Sequence, residues 1–166
     1  MNNDAQRFLQ LLQLVAKEAL HLQQVEQRFF EGQANIDLAW LKEKLNTNEG
    51  IDQLESFTAK FARLQDTLGD KTLPLFLKLA AEPVGTAIEN LNRAEQLNLI
   101  ANVGQWLSAR QLRNLLVHDY IDDLTILVEA LQQAKIMSLI LIDTANKIKE
   151  YAEKISINPT INNSIQ

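Results

Sequence analysis

Apolar residues recur at spacings of three and four along most of this chain, and this spacing constrains the fold more than any other feature. It is the period of an α-helix that buries one face. Gly and Pro number only five and three among 166 residues, so few positions interrupt a helix. No convincing run of alternating apolar and polar residues indicates a strand. The pattern predicts an all-α fold, an antiparallel helical bundle of about five helices.

Capping residues and helix breakers set the expected bounds. Asp4 is a candidate N-cap for a long first helix that ends near Phe30, and Asp123 begins a long last helix. Gly69 and Pro74 predict a kink or break in the middle of the chain. The intervening helices are expected over about 37–45, 51–68, 75–81, 86–97 and 103–119, and the last helix over about 123–155.

Composition favours one helical domain over residues 1–156, followed by a loose tail over 157–166 that lacks a core pattern. The chain contains no cysteine, no visible signal peptide and no uninterrupted apolar run long enough to cross a bilayer. We therefore expect a cytoplasmic protein that does not bind membranes. The net charge of −5 argues against broad electrostatic binding of nucleic acid, although a local basic patch suffices to hold one phosphate.

The segment Arg113-Asn114-Leu115-Leu116-Val117-His118-Asp119-Tyr120 concentrates the reactive side chains. It holds one of the two histidines and one of the two tyrosines of the chain. A histidine with a near-neutral pKa transfers protons, and an arginine holds a phosphate through two hydrogen bonds. RNA supplies its own nucleophile, the 2′-hydroxyl, so this set supports cleavage of a phosphodiester without a metal ion or another cofactor.

Helical geometry predicts how this segment is oriented. With Arg110 at zero, Asn114, His118, Arg113 and Tyr120 share one arc of about 160°. The leucines of the helix fall on the opposite side, at about 140° to 240°, and are expected to face the core. Trp106 and Val117 fall inside the polar arc, so both are expected to be exposed and to indicate a partner surface. The leucines expected to face the core are Leu112, Leu115 and Leu116.

The segment resembles the signature of the HEPN superfamily, Arg-x4–6-His, and within it the longer Arg-x4-His-x-Tyr signature of the HepT-like ribonuclease toxins. Arg113, His118 and Tyr120 match it, and Asn114 fits the common Arg-Asn start. The stretches 63–71, 91–97 and 106–114 are also similar to one HepT-like branch.

The resemblance implies a helical bundle, a homodimer with a composite active site, and metal-independent endoribonuclease activity. His118 would be the general acid and base and Arg113 the phosphate ligand, with Asn114 and Arg110 positioning the substrate. It also implies a minimal nucleotidyltransferase antitoxin as partner, which adds AMP groups to the motif tyrosine, here Tyr120. The chain lacks the Gly-Ser and Asp-x-Asp signature of a nucleotidyltransferase, so it would be the modified protein.

Other interpretations stay open beside the ribonuclease. The chain also resembles substrate-binding subunits of nucleotidyltransferases, which cut nothing, and a plain helical assembly module is a third possibility. Arg113 and His118 would then form a solvated or ion-paired helix end with Asp119 or Asp122. Tyr120 would be a packing residue, and Arg110 a surface charge. His21, Trp40, Phe57 and Phe61 are expected to be structural, and Asp119, Asp122 and Asp123 to cap helices and not to bind a metal.

Overall fold

The computed structural model describes residues 3–118 and 122–155, with only the backbone at His118, and every regular element in these residues is helical. The predicted all-α fold is confirmed. Helices α3 and α4 are joined without a break by a π-helical turn, so the described residues form six separate rods. The elements are α1 Asn3–Phe30, α2 Leu38–Leu45, α3 Asn48–Asp66, the π turn Thr67–Thr72, α4 Leu73–Leu79, α5 Ala87–Gln96, α6 Val103–His118 and α7 Leu124–Lys154.

Aromatic pairs show how the long rods are directed. Phe29, near the end of α1, lies beside Phe57 of α3 with ring centroids 5.9 Å apart. Phe8, near the start of α1, lies beside Phe76 of α4 at 6.0 Å, and Phe76 contacts Tyr151 near the end of α7 at 5.5 Å. The rod formed by α3 and α4 therefore runs antiparallel to α1, as a bundle with short connections requires.

Side-chain caps set several helix ends. Thr86 forms a capping box with Glu89, whose N–H donates to the threonine hydroxyl at 3.3 Å while its carboxylate accepts the Thr86 N–H at 2.7 Å. Asp123 caps α7 through its side chain, which confirms the capping role predicted for this carboxylate.

Two predicted starts were wrong by a few residues. Asp4 lies in the first turn of α1, which begins at Asn3, so it is not the N-cap. Helix α3 begins at Asn48 and not at Ile51, because the hydroxyl of Thr47 accepts the N–H of the third helical residue at 3.0 Å. The cap lies one turn before Ile51, the first apolar residue of the helix, so the apolar pattern places the start of α3 too late.

The aromatic residues predicted to be structural occupy one end of the core. Phe57 and Phe61 are fully buried, and Trp40 is half-buried and stacked on Phe30 with centroids 5.7 Å apart. His21 of α1 is half-buried, consistent with the structural or solvent-edge role expected of it.

Helix α7 is long and apolar enough to span a membrane when judged by length and composition alone. In its most apolar window, 44% of the residues are buried inside the bundle. Core helices of soluble proteins meet the same criterion, so the criterion supports a membrane span only weakly. Ile136 and Leu139 stand out on this helix because 64% and 66% of each residue is exposed.

Candidate functional site

Helix α6 carries the motif, and its start is fixed by two acceptors. The side chain of Asn102 accepts the N–H of Gln105 at 3.2 Å, as expected for an N-cap, and the carboxylate of Glu95 accepts the N–H of Val103 at 2.8 Å. The helical backbone extends through His118. The motif positions from Arg113 to His118 therefore lie on one rigid element.

Arg113 is held by a carboxylate from another helix. Its Nε donates to Oδ1 of Asp66 at 3.0 Å, and its NH2 donates to Oδ2 at 2.7 Å. The pair is bidentate and half-buried, with 21% of the Arg113 side chain and 37% of the Asp66 side chain exposed. The hydrogen bond to Asp66 is the main cause that raises the pKa of Arg113, so the guanidinium remains charged. An ion-paired role was one of the predicted alternatives for Arg113, and Asp66 of α3 is a partner that was not predicted.

A second, looser pair lies beside the first. NH1 of Arg110 is 3.8 Å from Oδ1 of Asp70, and both side chains are about half exposed. The earlier arginine, Arg110, pairs with the later aspartate, Asp70, and Arg113 pairs with Asp66. Helix α6 therefore runs antiparallel to the rod that begins with α3. We call these four residues the ion-paired seam. It places two arginines of the predicted site on the side of α6 that faces α3.

One aspartate of the seam, Asp66, directly precedes a π turn, and the other, Asp70, lies within it. The chain was expected to kink or break near Gly69 and Pro74, but the helix continues through Thr67–Thr72 with a wider turn. Pro74 has no N–H and its ring crowds the carbonyl four residues earlier, and a wider turn relieves that clash. The hydroxyl of Thr72 donates to the carbonyl of Thr67 at 2.8 Å, across five residues. The turn thus keeps Asp66 and Asp70 on one continuous rod.

A buried carboxylate lies behind this turn. The hydroxyl of Thr67 donates to Oε1 of Glu18 in α1 at 3.2 Å, and Oε2 of Glu18 is buried with no hydrogen-bond partner among the described residues. Burial is the main cause that raises the pKa of Glu18. Glu18 is therefore a titratable group that contacts the turn directly, next to the ion-paired seam.

The remaining motif residues are only partly described. Asn114 is exposed, and its Oδ1 accepts a long hydrogen bond of 3.4 Å from NH1 of Arg113. Val117 is exposed, as predicted. Tyr120 and Asp119, like the tail over 157–166, lie outside the described residues, as does the side chain of His118. The structure therefore brings Arg113 together with Asn114 and sets Arg110 one turn away.

Trp106 was predicted to be exposed, and this prediction was wrong. Only 3% of the residue is accessible. Trp106 and Arg113 are seven residues apart and share one side of α6, and that side faces α3 and the π turn instead of solvent. Gly69 lies beside the indole, and a Cβ added to it would make an ordinary contact, 3.8 Å from Cζ3 of Trp106. Of the leucines expected in the core, Leu112 is buried, whereas Leu115 and Leu116 are half-buried and pack against the core.

Three residues of this region were not identified from the sequence: Asp66, Asp70 and Glu18. The two aspartates are four residues apart and lie beside Gly69, which was interpreted only as an interruption. The spacing of Asp66 and Asp70 matches that of a cation pair on an antiparallel helix, but 47 residues separate Asp66 from Arg113. Only tertiary packing shows which cations they meet.

A groove lies between α6 and α7. It has a volume of about 320 Å³ and is lined mostly by apolar side chains, among them Leu112, Met137 and Ile140. The exposed Ile136 lines its edge. The groove adjoins the motif helix on a side other than the seam, so α6 contributes to two distinct surfaces.

The described residues contain no cluster of three or more His, Cys, Asp or Glu side chains suited to a metal ion. Chemically, the seam and the neighbouring Asn114 place two guanidinium groups and one amide on one helix, and each guanidinium is paired with an aspartate. No family model, curated protein or solved structure matches this chain.

Proposed function

We propose that this chain is a metal-independent endoribonuclease, the toxin of a HEPN and minimal-nucleotidyltransferase pair, acting in the cytoplasm. The motif Arg113-x4-His118-x-Tyr120 supports this proposal. The structural observation that carries it is the charged, bidentately held guanidinium of Arg113 on the same helix as His118. Such a group binds a phosphate and stabilises the charge that develops on it during cleavage.

The reaction would be a transesterification. His118 removes the proton of the 2′-hydroxyl, the 2′-oxygen attacks phosphorus, and the bond from phosphorus to the 5′-oxygen breaks. The leaving oxygen takes a proton from a second acid, and the products are a 2′,3′-cyclic phosphate and a 5′-hydroxyl. Arg113 holds the phosphate throughout, and Arg110 and Asn114 position the RNA. No metal or other cofactor enters this scheme.

A homodimer would complete the site. The scheme needs both a base and an acid, and one copy supplies only one histidine in the motif. His118 of a second copy can supply the second proton-transfer group. The apolar groove of α6 and α7, with Ile136 and Leu139 exposed beside it, is the surface we assign to this dimer.

Light scattering tests the dimer. We expect Ile136→Glu to convert a micromolar dimer into monomers, because a carboxylate would be buried in the apolar contact. Leu20→Glu on α1 is the matched control, since Leu20 is also half exposed but lies away from the groove. A wild-type protein that is monomeric at micromolar concentration would exclude the composite site.

The second candidate is a non-catalytic binding subunit of a nucleotidyltransferase. One observation favours it: Asp66 and Asp70 balance the charges of Arg113 and Arg110, so the seam carries no excess positive charge. In this case the polar arc of α6 binds a nucleotide or the partner enzyme, and RNA stays intact.

Expression in cells separates these functions. If the chain is a nuclease, growth arrest on expression of the wild type should disappear in His118→Ala and in Arg113→Ala, while binding to the nucleotidyltransferase partner persists. The binding-subunit function predicts no arrest, and a plain assembly module predicts no effect of either substitution on any interaction. Intact-mass spectrometry after coexpression with the partner should show additions of AMP that Tyr120→Phe prevents.

A further inference from the structure

We propose that Asp66 is a positioning residue for Arg113, and that the π turn next to it sets its position. This inference rests on the proposed function, because it assigns Asp66 to the same phosphate-binding site. We assign Asp66 no contact with the substrate. It acts by fixing the plane and direction of the guanidinium before RNA binds.

The geometry of the pair supports this role. Asp66 occupies the edge of the guanidinium formed by Nε and NH2, at 3.0 and 2.7 Å. Two parallel hydrogen bonds fix a planar group more tightly than one. The opposite nitrogen, NH1, is directed towards Asn114 at 3.4 Å. These contacts set the plane of the guanidinium and therefore the direction from which a phosphate can meet it.

The π turn that follows Asp66 is tied to the core by buried side chains. Asp66 is the last residue of α3, and the next residue, Thr67, is buried and tied to Glu18 of α1. The buried hydroxyl of Thr72 spans the turn and bonds to Thr67. Both contacts are made on the side of the rod away from solvent. They hold the turn, and with it the carboxylate that aligns Arg113.

Asp70 provides a contrast within the same turn. It has the same charge as Asp66 and lies four residues away, but its contact with Arg110 is a single one at 3.8 Å between exposed groups. Exposed pairs of this kind restrain a side chain weakly. Asp70→Asn therefore changes the local charge as much as Asp66→Asn does, without releasing Arg113.

The experiment compares Asp66→Asn, Asp70→Asn and the wild type on a short RNA substrate. We expect Asp66→Asn to lower kcat on the order of 10²-fold, the usual effect of displacing a catalytic contact by about 1 Å. Asp70→Asn should stay within about threefold of the wild type, as expected for an exposed pair. Unfolding curves of all three proteins control for loss of fold. Equal losses in both variants would overturn the inference, because they would show that only the net charge matters.

An increase in cleavage or in RNA affinity with Asp66→Asn would also overturn it. That result would mean that the carboxylate competes with the phosphate for Arg113. A positioning residue and a competitor therefore shift the activity in opposite directions.

A second readout does not depend on cleavage. The Nε–H resonance of Arg113 in ¹⁵N spectra should be sharp and protected from solvent exchange in the wild type, and lost in Asp66→Asn alone. Binding of adenosine 3′-monophosphate, used as the probe, should weaken in Asp66→Asn and not in Asp70→Asn. If the wild type binds the probe but cuts no RNA, the proposed function fails and the positioning role stands. If Asp66→Asn changes neither the resonance nor the binding of the probe, the positioning role fails.

Discussion

The middle and the end of α3 are held by different forces. In the middle, Phe57 lies among Phe29, Phe30 and Phe61, with ring centroids between 5.1 and 6.3 Å apart. At its end, Asp66 meets Arg113 through two charge-assisted hydrogen bonds at a half-exposed surface. The hydrophobic effect that drives burial of the aromatic rings is non-directional and is the dominant favourable contribution to folding. Ion pairs near solvent add little stability but fix direction. The middle of α3 therefore holds the bundle together, and its end orients a reactive group.

The largest effect on stability is expected in the middle of α3, at Phe57. Phe57→Ala should lower the free energy of unfolding by about 3–5 kcal/mol, because it removes a fully buried ring and leaves a cavity. Urea denaturation measures this change. Arg113→Ala, which removes the partner of Asp66 at the end of α3, serves as the comparison and should cost about 1 kcal/mol or less. Similar costs for the two variants would show that the middle and the end of α3 are not held differently.

The π turn should give a smaller effect. Thr72→Val removes a buried hydrogen bond that spans five residues, and the free energy of unfolding should fall by about 1 kcal/mol. Thr144→Val in α7 is matched to it, since the hydroxyl of Thr144 bonds to a carbonyl four residues earlier in an ordinary helix. Bonds of that kind do not stabilise a helix, so the control should cost less than half as much. Equal costs would mean that Thr72 has no special role in the wide turn.

The smallest effect is expected at Glu18 and depends on pH. Burial raises the pKa of this carboxyl above the ordinary value of 4.5, so the folded protein holds the proton more tightly than the unfolded chain. The stability that Glu18 contributes is complete below pH 4.5 and is lost as the pH rises through the native pKa. Glu18→Gln does not ionise, so its stability relative to the wild type should increase with pH above 4.5.

Thermal unfolding from pH 4 to pH 8 checks this prediction, with the exposed Glu129→Gln as the control. A difference between Glu18→Gln and the wild type that stays constant across this range would show that Glu18 ionises equally in both states.

The parts of the fold that depend on neighbouring residues in the chain were predictable. The capping box of Thr86 and Glu89 lies within four residues, and the apolar stripe of α3 identified Phe57 and Phe61 as structural. The helical period gives the direction of each side chain from its own axis. It does not say which direction faces another helix, and for this reason Trp106 was placed on the exposed side.

The seam depended on contacts between distant parts of the chain. The sequence identified Arg113 and Arg110 as anion-binding groups, but not that Asp66 and Asp70 meet them from another helix. Gly69 and Pro74 indicated that an ordinary helix does not continue, and a break and a π turn give the same local pattern. Packing of α3 against α1 and α6 selects the continuous rod.

RNA cleavage by the purified protein tests the central claim most directly. Wild type, His118→Ala and Arg113→Ala would be incubated with RNA in the presence of EDTA, and the ends of the products identified by mass spectrometry. We predict fragments with 2′,3′-cyclic phosphate and 5′-hydroxyl ends from the wild type. Both variants should keep the fold and lose on the order of 10²–10⁴-fold in rate. Intact RNA after incubation with a folded, dimeric wild type, or undiminished cleavage by His118→Ala, would contradict the account.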